Sequence, residues 1–183
     1  MPFERLDTEI DGLVLVQPKV ISDERGFFFE SYRRNEFERL GIDVEFVQDN
    51  HSRSMRGTIR ALHFQLRPGQ AKLIRCARGS VYDVAVDLRR GSPTYGKHEA
   101  FVLSDKNAHQ VFIPVGFAHG FCVTSAEADV TYKVSSYYDP ETERGIAWDD
   151  PAIGVKWPVD EPLVSERDRS NPRLEEIAAE LPW

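Results

Sequence analysis

The sequence is poor in cysteine, and the two it has stand apart from each other. Cys76 and Cys122 are the only cysteines among 183 residues, and each lies in an apolar, strand-like segment. Small secreted proteins commonly depend on several disulfides, and two isolated thiols provide no such framework. We therefore predict buried, reduced thiols in a cytoplasmic protein.

Positive charge is also scarce. The chain has 23 Lys and Arg against 30 Asp and Glu, a formal net charge of −7. Proteins that bind nucleic acids or anionic membranes generally need a positive excess. No apolar run approaches the roughly 18 residues of a membrane-spanning helix, and the first residues, MPFERLDTEIDG, are charged where a signal peptide is apolar. The sequence argues against nucleic-acid and membrane partners.

Short β-rich segments, separated by Gly, Pro, Asp and Ser, fill most of the chain. This pattern favours an antiparallel sheet architecture over a parallel one with long helices. We predict a mainly β, jelly-roll barrel in one domain spanning 1–183, with a few short peripheral helices. The predicted strands cover 12–17, 27–32, 44–50, 59–65, 71–77, 81–88, 98–104, 119–124 and 130–138.

Helical signals are confined to two places. Asn35 is a suitable cap for a short turn that ends at Gly41. The segment 173–181 follows Pro172 and has apolar residues at helical spacing. We expect the C-terminal part, about 151–183, to form a tail packed on the barrel.

Two motifs resemble those of cupin barrels, but one is altered. Residues 114–119, PVGFAH, match the second cupin motif, Pro-x-Gly-x-x-His. The first motif has a Gly, His-x-His, a Glu and a final Gly, where this chain has Gly57, His63, Gln65, Lys72 and Gly79. Divalent metals in such sites need neutral imidazoles and an anionic oxygen, and an ammonium group would repel the ion. We therefore expect no metal ion, and a fixed cation in the pocket.

Strand periodicity assigns faces to the polar residues of these motifs. His63 is predicted to share a face with Ile59 and Ala61, because side chains alternate along a strand. By the same rule Lys72 shares a face with Ile74 and Cys76, and Tyr132 with Val130 and Val134. A lone His or Tyr in a strand is more often simply packed and hydrogen-bonded than catalytic. A buried Lys is costly unless it is used, so the combination favours proton abstraction beside a carbonyl, with the oxyanion held by Lys.

The chain resembles the dTDP-4-dehydrorhamnose 3,5-epimerase family, cofactor-free cupins, along its whole length. The matching segments are DERGFFFE (23–30), FVQDNHSRS (46–54), IRALHFQ (59–65), the long segment 70–96, IPVGFAHGF (113–121), TYK (131–133), 137–151 and SERDRSNP (165–172). Ala61 stands where the family has Gly, and we expect its methyl group on the pocket-facing side of the strand, where it would narrow the site slightly.

The resemblance implies roles for individual residues. His63 would be the general base, held by Asp168; Tyr132 would be the acid on the opposite face of the sugar, and Lys72 would hold the C4 oxyanion. Tyr138 would stack on thymine. The other implied substrate contacts are Arg25, Glu30, Gln48, Asp49, Asn50, Arg60, His119, Glu143 and Arg167. Only His63 and His119 remain of the usual metal ligands, too few for a zinc site.

The implied reaction inverts C3 and C5 of dTDP-4-dehydro-6-deoxy-D-glucose, giving dTDP-4-dehydro-L-rhamnose for dTDP-L-rhamnose and cell wall polysaccharide synthesis. The resemblance also implies a homodimer whose N-terminal strands are exchanged or paired between subunits. Three alternatives stay open at this point: a single-carbon epimerase of another dTDP-4-ketosugar, a non-catalytic cupin that binds a nucleotide sugar, and a metal-dependent cupin dioxygenase.

Overall fold

Two antiparallel sheets form the body of the computed structural model, which describes residues 2–183. The first sheet has the strand order β1-β2-β10-β7-β12-β5, and the second has the order β13-β6-β11-β8-β9. The strands are β1 (Phe3–Leu6), β2 (Val14–Pro18), β3 (Ile21–Asp23), β4 (Gly26–Phe28), β5 (Gln48–Met55), β6 (Thr58–Gln65), β7 (Lys72–Arg78), β8 (Ser80–Asp87), β9 (His98–Ser104), β10 (Gln110–Ile113), β11 (Phe117–Val123), β12 (Glu127–Val134), β13 (Glu143–Gly145) and β14 (Leu163–Val164). The helices are α1 (Arg34–Arg39), α2 (Glu166–Arg169) and α3 (Leu174–Ile177), which continues as a 3-10 turn over Ala178–Glu180.

The main core lies between the two sheets. Strands β7, β10 and β12 of the first sheet and β8, β9 and β11 of the second contribute fully buried side chains, among them Ile74, Val111, Val130, Val81 and Leu103. Alternation along each strand places these residues on the inner faces of the two sheets. This arrangement is the cupin jelly roll, and it confirms the predicted fold class.

The C-terminal residues cover the outer face of the second sheet. Ile153, Leu174, Ile177 and Leu181 are buried in one cluster with Ile59 and other side chains of β6, β8 and β11. The short strand β14 also pairs in parallel with β6. The tail thus contacts β6 directly, and β6 carries His63.

Several predicted boundaries are wrong in detail. Helix α1 begins at Arg34 after Arg33, so Asn35 is its second residue and not its cap, although Gly41 does end the turn with a φ of +92°. The predicted strand 27–32 reaches only Phe28, as part of the hairpin β3–β4. Helix α2 was not predicted. The helix predicted over 173–181 is present, but its last turn tightens to 3-10 geometry.

Strand β6 interrupts simple alternation next to the site. Opposite β11, His63 pairs with His119 but Arg60 pairs with Phe121, so three steps along β6 match two along β11. Ile59 packs in the outer cluster with Leu62 and Phe64, while Arg60 donates to Ser54 of β5, 3.0 Å away. The prediction that Ile59 and His63 share a face is therefore wrong, because an extra residue forms a bulge.

Ala61 also differs from the expectation. It is fully buried, and it lies against Gly120, where an added Cβ would approach the Ala61 Cβ to 2.5 Å. The methyl group of Ala61 therefore packs between two strands and does not line the cavity.

Within residues 2–183, no helix has the length and apolar character to cross a membrane.

Candidate active site

A cavity of about 270 Å³ opens between the two sheets at one end of the barrel. Its walls come from both sheets and from the segment after β12. The lining residues are Gln48, Asn50, His63, Phe64, Gln65, Gln70, Lys72, Tyr132, Tyr138 and Glu143. Eight of these ten were singled out from the sequence as functional or motif residues, and Phe64 and Gln70 are new.

His63 and Asp168 form a hydrogen-bonded pair at the wall of the cavity. His63 Nε2 lies 2.8 Å from Asp168 Oδ1, although the two residues are 105 positions apart in sequence. The His63 side chain is 25% exposed and that of Asp168 only 5%. One ring nitrogen is therefore engaged by the carboxylate, and the imidazole is held in a fixed orientation.

Asp168 is itself held by α2 and by β6. The Ser165 hydroxyl caps α2 by accepting from the Asp168 backbone N–H at 3.1 Å. The second carboxylate oxygen accepts from the Ala61 backbone N–H at 3.4 Å. Burial alone would raise the pKa of Asp168, but its hydrogen bond and charge interaction with His63 outweigh this effect and lower the pKa. The carboxylate stays ionised and can stabilise a protonated imidazole.

Lys72 is a buried cation beside this pair. Its Nζ donates to the backbone oxygen of His63 at 3.2 Å, and the residue is 8% exposed. Burial lowers the pKa of Lys72 to about 8, although the carboxylates of Glu143 and Asp83 act in the opposite direction. Ile74 and Cys76 lie on its face in the core, as the strand pattern predicted.

Tyr132 reaches the cavity from the opposite sheet. It packs against the core cluster that includes Val130, as alternation predicted. Burial raises the pKa of its hydroxyl, while the nearby Arg60 acts to lower it. The phenol is therefore protonated at neutral pH and available as a proton donor.

The cavity mouth carries a network of three side chains. Glu143 Oε2 accepts from the Tyr138 hydroxyl at 2.9 Å and from Arg167 Nη2 at 2.6 Å. The hydrogen bond that the Tyr138 hydroxyl donates to Glu143 raises the pKa of Tyr138, which is 52% exposed. Each of these residues was predicted separately as a substrate contact, and in the structure Glu143 binds the other two.

A second His–Asp pair lies on the neighbouring strands, where His119 of β11 is paired with His63 of β6. His119 Nε2 is 2.9 Å from Asp83 Oδ2, and both side chains are buried. Burial lowers the pKa of His119 despite the adjacent carboxylate. Among the described residues, Asp83 Oδ1 has no hydrogen-bond partner. Asp83 was not identified from the sequence, although its position opposite Phe121 in β8 places it next to the motif histidine.

The donor set does not fit a cupin metal ion. Over residues 2–183, no group of three or more His, Cys, Asp and Glu side chains is arranged to hold one. Gln65 directs its amide to Gln70 and to the segment after β12, and the Lys72 ammonium stands where a carboxylate would be needed.

Six of the implied substrate residues are not among the side chains that line this cavity: Arg25, Glu30, Asp49, Arg60, His119 and Arg167. Arg60 binds Ser54, His119 binds Asp83 behind the wall, and Arg167 binds Glu143 at the mouth. Arg25 lies in the hairpin β3–β4 with its side chain 85% exposed and paired with Asp23. Glu30 pairs with Arg33. Asp49 points to the outer face of the first sheet, where it binds Lys133 at 2.9 Å and lines a separate cavity of about 310 Å³.

The unpredicted helix α2 is the main element that sequence reasoning missed. A Ser followed three residues later by an acidic residue is a helix-start signal. Ser165 and Asp168 have this spacing, and it could have revealed the turn that presents Asp168 to His63.

Comparison with known proteins identifies the family. The family model for dTDP-4-dehydrorhamnose 3,5-epimerase matches residues 7–176. A relative from Shigella flexneri with this activity in its name is 52% identical over 165 residues, which are 89% of this chain and 91% of the relative. The chain belongs to the dTDP-4-dehydrorhamnose 3,5-epimerase family. It is a cupin epimerase acting on dTDP sugars.

Other epimerases of this group show its range. A dTDP-6-deoxy-D-glucose-3,5-epimerase of Legionella pneumophila, solved with dTDP-4-keto-L-rhamnose, has a TM-score of 0.94 at 46% identity and covers 97% of this chain and 96% of its own. A dTDP-4-dehydrorhamnose 3-epimerase of Streptomyces niveus is 43% identical over 87% of this chain and 78% of its own length. Proteins similar to this chain thus include some named as 3,5-epimerases and one named as a 3-epimerase.

Proposed function

We propose that this epimerase inverts C3 and C5 of dTDP-4-dehydro-6-deoxy-D-glucose through a C4 enolate, with His63 as base and Tyr132 as acid. The arrangement of His63, Lys72 and Tyr132 around one cavity carries the proposal. A carbon next to a ketone loses its proton readily only if the oxyanion is stabilised, and the Lys72 ammonium is the buried cation beside His63.

In the first half of the reaction, a proton passes from the sugar carbon to the free ring nitrogen of His63. The C–H electron pair moves into the new C=C bond, and the carbonyl pair moves to O4, which Lys72 stabilises. Asp168 stabilises the imidazolium that forms, because its carboxylate remains bonded to the other nitrogen.

In the second half, the enolate collapses and the carbon takes a proton from Tyr132. A base and an acid on different walls allow the new proton to arrive on the face opposite the one that was lost. His63 and Tyr132 come from different sheets, which supports this division of work. Exchange with solvent restores both groups for the second carbon.

The test is incubation of the enzyme with the ketosugar in deuterated water, followed by NMR at C3 and C5. We expect deuterium at both carbons and the L-configured product. Deuterium at C3 alone would favour the single-carbon alternative, which the Streptomyces niveus relative represents. An absence of exchange would favour a binding protein without catalysis.

Arg25 and Glu30 are proposed to contact substrate in the cavity of a second subunit. The hairpin β3–β4 exposes Phe27 by 63% and Phe28 by 68%, and an isolated two-stranded hairpin gains little stability by itself. A second copy covering these rings would form a homodimer and would bring Arg25 to a neighbouring site.

Subunit complementation tests this arrangement. Arg25→Ala and His63→Asn variants, each weak alone, are expected to regain activity when unfolded and refolded together, since a mixed dimer has one site with both native residues. No recovery in a mixture that has formed mixed dimers would place Arg25 outside the partner's site.

The oligomeric state tests the role of the exposed rings. The double variant Phe27→Ser, Phe28→Ser should have a lower mass in solution by light scattering than wild type, because the proposed dimer contact is weakened. Val102→Ser, at an exposed position of β9, is the control.

Cytoplasmic location and a single domain over 1–183 are also proposed. Both cysteines are buried and free, which supports a reducing compartment. The tail buries Leu174 and Ile177 against β6, which supports one folding unit. We also propose a place in cell wall polysaccharide synthesis, because the proposed product, dTDP-4-dehydro-L-rhamnose, would lead to dTDP-L-rhamnose.

A further inference from the structure

Four consecutive residues after β12 are held by the side chains of three glutamines. Gln70 Nε2 donates to the Ser136 backbone oxygen at 2.9 Å, and Gln65 Nε2 approaches the Tyr137 oxygen at 3.4 Å. The Tyr138 backbone N–H donates to Gln48 Oε1 at 3.1 Å, and the Asp139 N–H approaches Gln65 Oε1 at 3.4 Å. We call this segment, 136–139, the Tyr138 segment.

Gln65 and Gln70 act as a connected pair. Gln70 Nε2 donates to Gln65 Oε1 at 3.0 Å as well as to Ser136. Gln65 is 4% exposed, and its amide also approaches the Thr142 hydroxyl at 3.5 Å. An amide has both donors and an acceptor, so the pair can bind backbone oxygens and a backbone N–H at once. Neither a carboxylate nor a neutral imidazole at position 65 would supply the same set.

The Tyr138 segment needs such support because its own side chains face outward. Tyr137 is 72% exposed and Tyr138 is 52% exposed, so little apolar burial fixes the segment. Tyr138 nevertheless lines the cavity, with its hydroxyl bonded to Glu143. The ring can present a defined face to a ligand only if the backbone beneath it is fixed.

We propose that Gln65 and Gln70 are positioning residues that fix the Tyr138 ring for the base of the nucleotide. The inference rests on the proposed stacking of Tyr138 on thymine. It gives a function to Gln65, which occupies a metal-ligand position of the cupin motif: the position supports nucleotide binding in place of metal binding. The pair therefore determines affinity for the nucleotide part of the substrate and leaves proton transfer at the sugar to His63, Lys72 and Tyr132.

The test is a double-mutant cycle read by calorimetric binding of dTDP, which lacks the sugar. The variants are Gln70→Met, which keeps side-chain length and removes both hydrogen bonds, Tyr138→Ala, and the two combined. Stacking of a base on an aromatic ring is strong enough that misplacing the ring should weaken dTDP binding about five- to thirtyfold. We expect this loss in Gln70→Met, with kcat within about twofold of wild type, and no further loss when Gln70→Met is added to Tyr138→Ala.

The matched control is Gln110→Met. Gln110 is buried and, like Gln70, donates to a backbone oxygen outside the strands, that of Ser31 at 2.8 Å, but it does not contact the Tyr138 segment. Any effect it has should add independently to that of Tyr138→Ala. Thermal melting checks that each variant is folded, and Gln65→Met gives a second measurement if Gln70→Met is not.

Other results would overturn the inference in distinguishable ways. If Tyr138→Ala binds dTDP normally, the proposed stacking is wrong and the inference falls with it. If Tyr138→Ala weakens binding but Gln70→Met does not, only the positioning role is wrong. Losses that add fully in the double variant would mean that Gln70 acts on the nucleotide independently of Tyr138. An unchanged dTDP affinity with a reduced kcat would mean that Gln70 acts on the sugar part of the site, and either result would overturn the positioning role.

Discussion

The ammonium of Lys72 donates to the backbone oxygen of the residue whose side chain is the proposed base, His63, at 3.2 Å. His63 lies in β6 and Lys72 in β7, two strands that are consecutive in the chain but belong to different sheets. The hydrogen bond fixes the proposed base and the oxyanion-stabilising cation relative to each other. The cation is also buried, so its charge is poorly solvated and strongly felt within the cavity. This combination makes Lys72 valuable for catalysis and costly for stability.

Replacing Lys72 by Met should therefore separate activity from stability. Loss of the oxyanion's partner is expected to lower kcat about a hundred- to a thousandfold. Stability should rise by about 1 to 3 kcal/mol at pH 7, because a pKa lowered from 10.5 to about 8 means that burial disfavours the charged form. Thermal melting and turnover on the same preparations would check both effects.

The stability gain of this variant should depend on pH. The pKa of Lys72 is lower in the folded state than in the unfolded state, so its cost to wild type is complete below about pH 8 and shrinks as pH rises toward 10.5. The melting difference between Lys72→Met and wild type should shrink across that range. A difference that stays constant with pH would contradict the assigned titration.

The pH profile of activity should have a falling limb near pH 8. Loss of the Lys72 proton removes the positive charge that holds the enolate, so kcat/KM should decline as pH rises through about 8. Lys72→Arg, whose guanidinium stays charged, is expected to be slower but to lack this limb. The same limb in the Arg variant would assign it to another group.

Changing His63 to Asn should nearly abolish deuterium exchange at both sugar carbons. General-base catalysis commonly contributes about a hundredfold or more, and the Asn side chain cannot accept the proton. Asp168→Asn should be intermediate, because it leaves the imidazole in place but removes the charge that stabilises its protonated form. Exchange at the wild-type rate in His63→Asn would exclude His63 as the base.

Changing Tyr132 to Phe should slow product formation more than exchange. His63 and Lys72 would still form the enolate, but the proton would return to the face that it left. One general acid contributes about a hundredfold to ten-thousandfold, so the two rates should separate clearly in NMR time courses. An equal loss of both would mean that Tyr132 positions the sugar or shapes the cavity.

Activity should survive removal of divalent ions. Lys72 supplies positive charge where a metal-binding cupin has a carboxylate ligand, and Gln65 is bonded to Gln70. Dialysis against a strong chelator should leave turnover unchanged, with a known metalloenzyme treated in parallel. Activity that fell with chelator and returned with a divalent ion would contradict the metal-free site.

Regular strands made part of this site predictable from sequence. Lys72 and Tyr132 lie on the faces that alternation assigned, because β7 and β12 pair regularly at these positions. His63 lies in a strand whose bulge no period-2 rule could reveal. Asp168 lies in a four-residue helix, too short for a periodic signal, and only the family resemblance connected it to His63. The roles proposed for all four residues stay predictions until the variants are measured.

The glutamines around Tyr138 illustrate a different limit. Gln65 was noticed as a lost metal ligand, but nothing in the sequence gives the partners of its amide, because they lie 72 and 77 residues away. Such contacts depend on how β6 and the segment after β12 meet in space. Composition and motif spacing do not give the relative position of β6 and that segment.

Because β6 contains an extra residue, the site depends on the number of residues in this strand as well as on their identities. The extra residue allows Arg60 and His63, three positions apart, to be directed toward the first sheet, whereas even alternation would place them on opposite sides. A single deletion at 61–62 would keep every catalytic residue type and still turn either the arginine or the histidine outward. In alignments of relatives, a one-residue gap at this point therefore marks a rebuilt site, even where all the motif letters are retained.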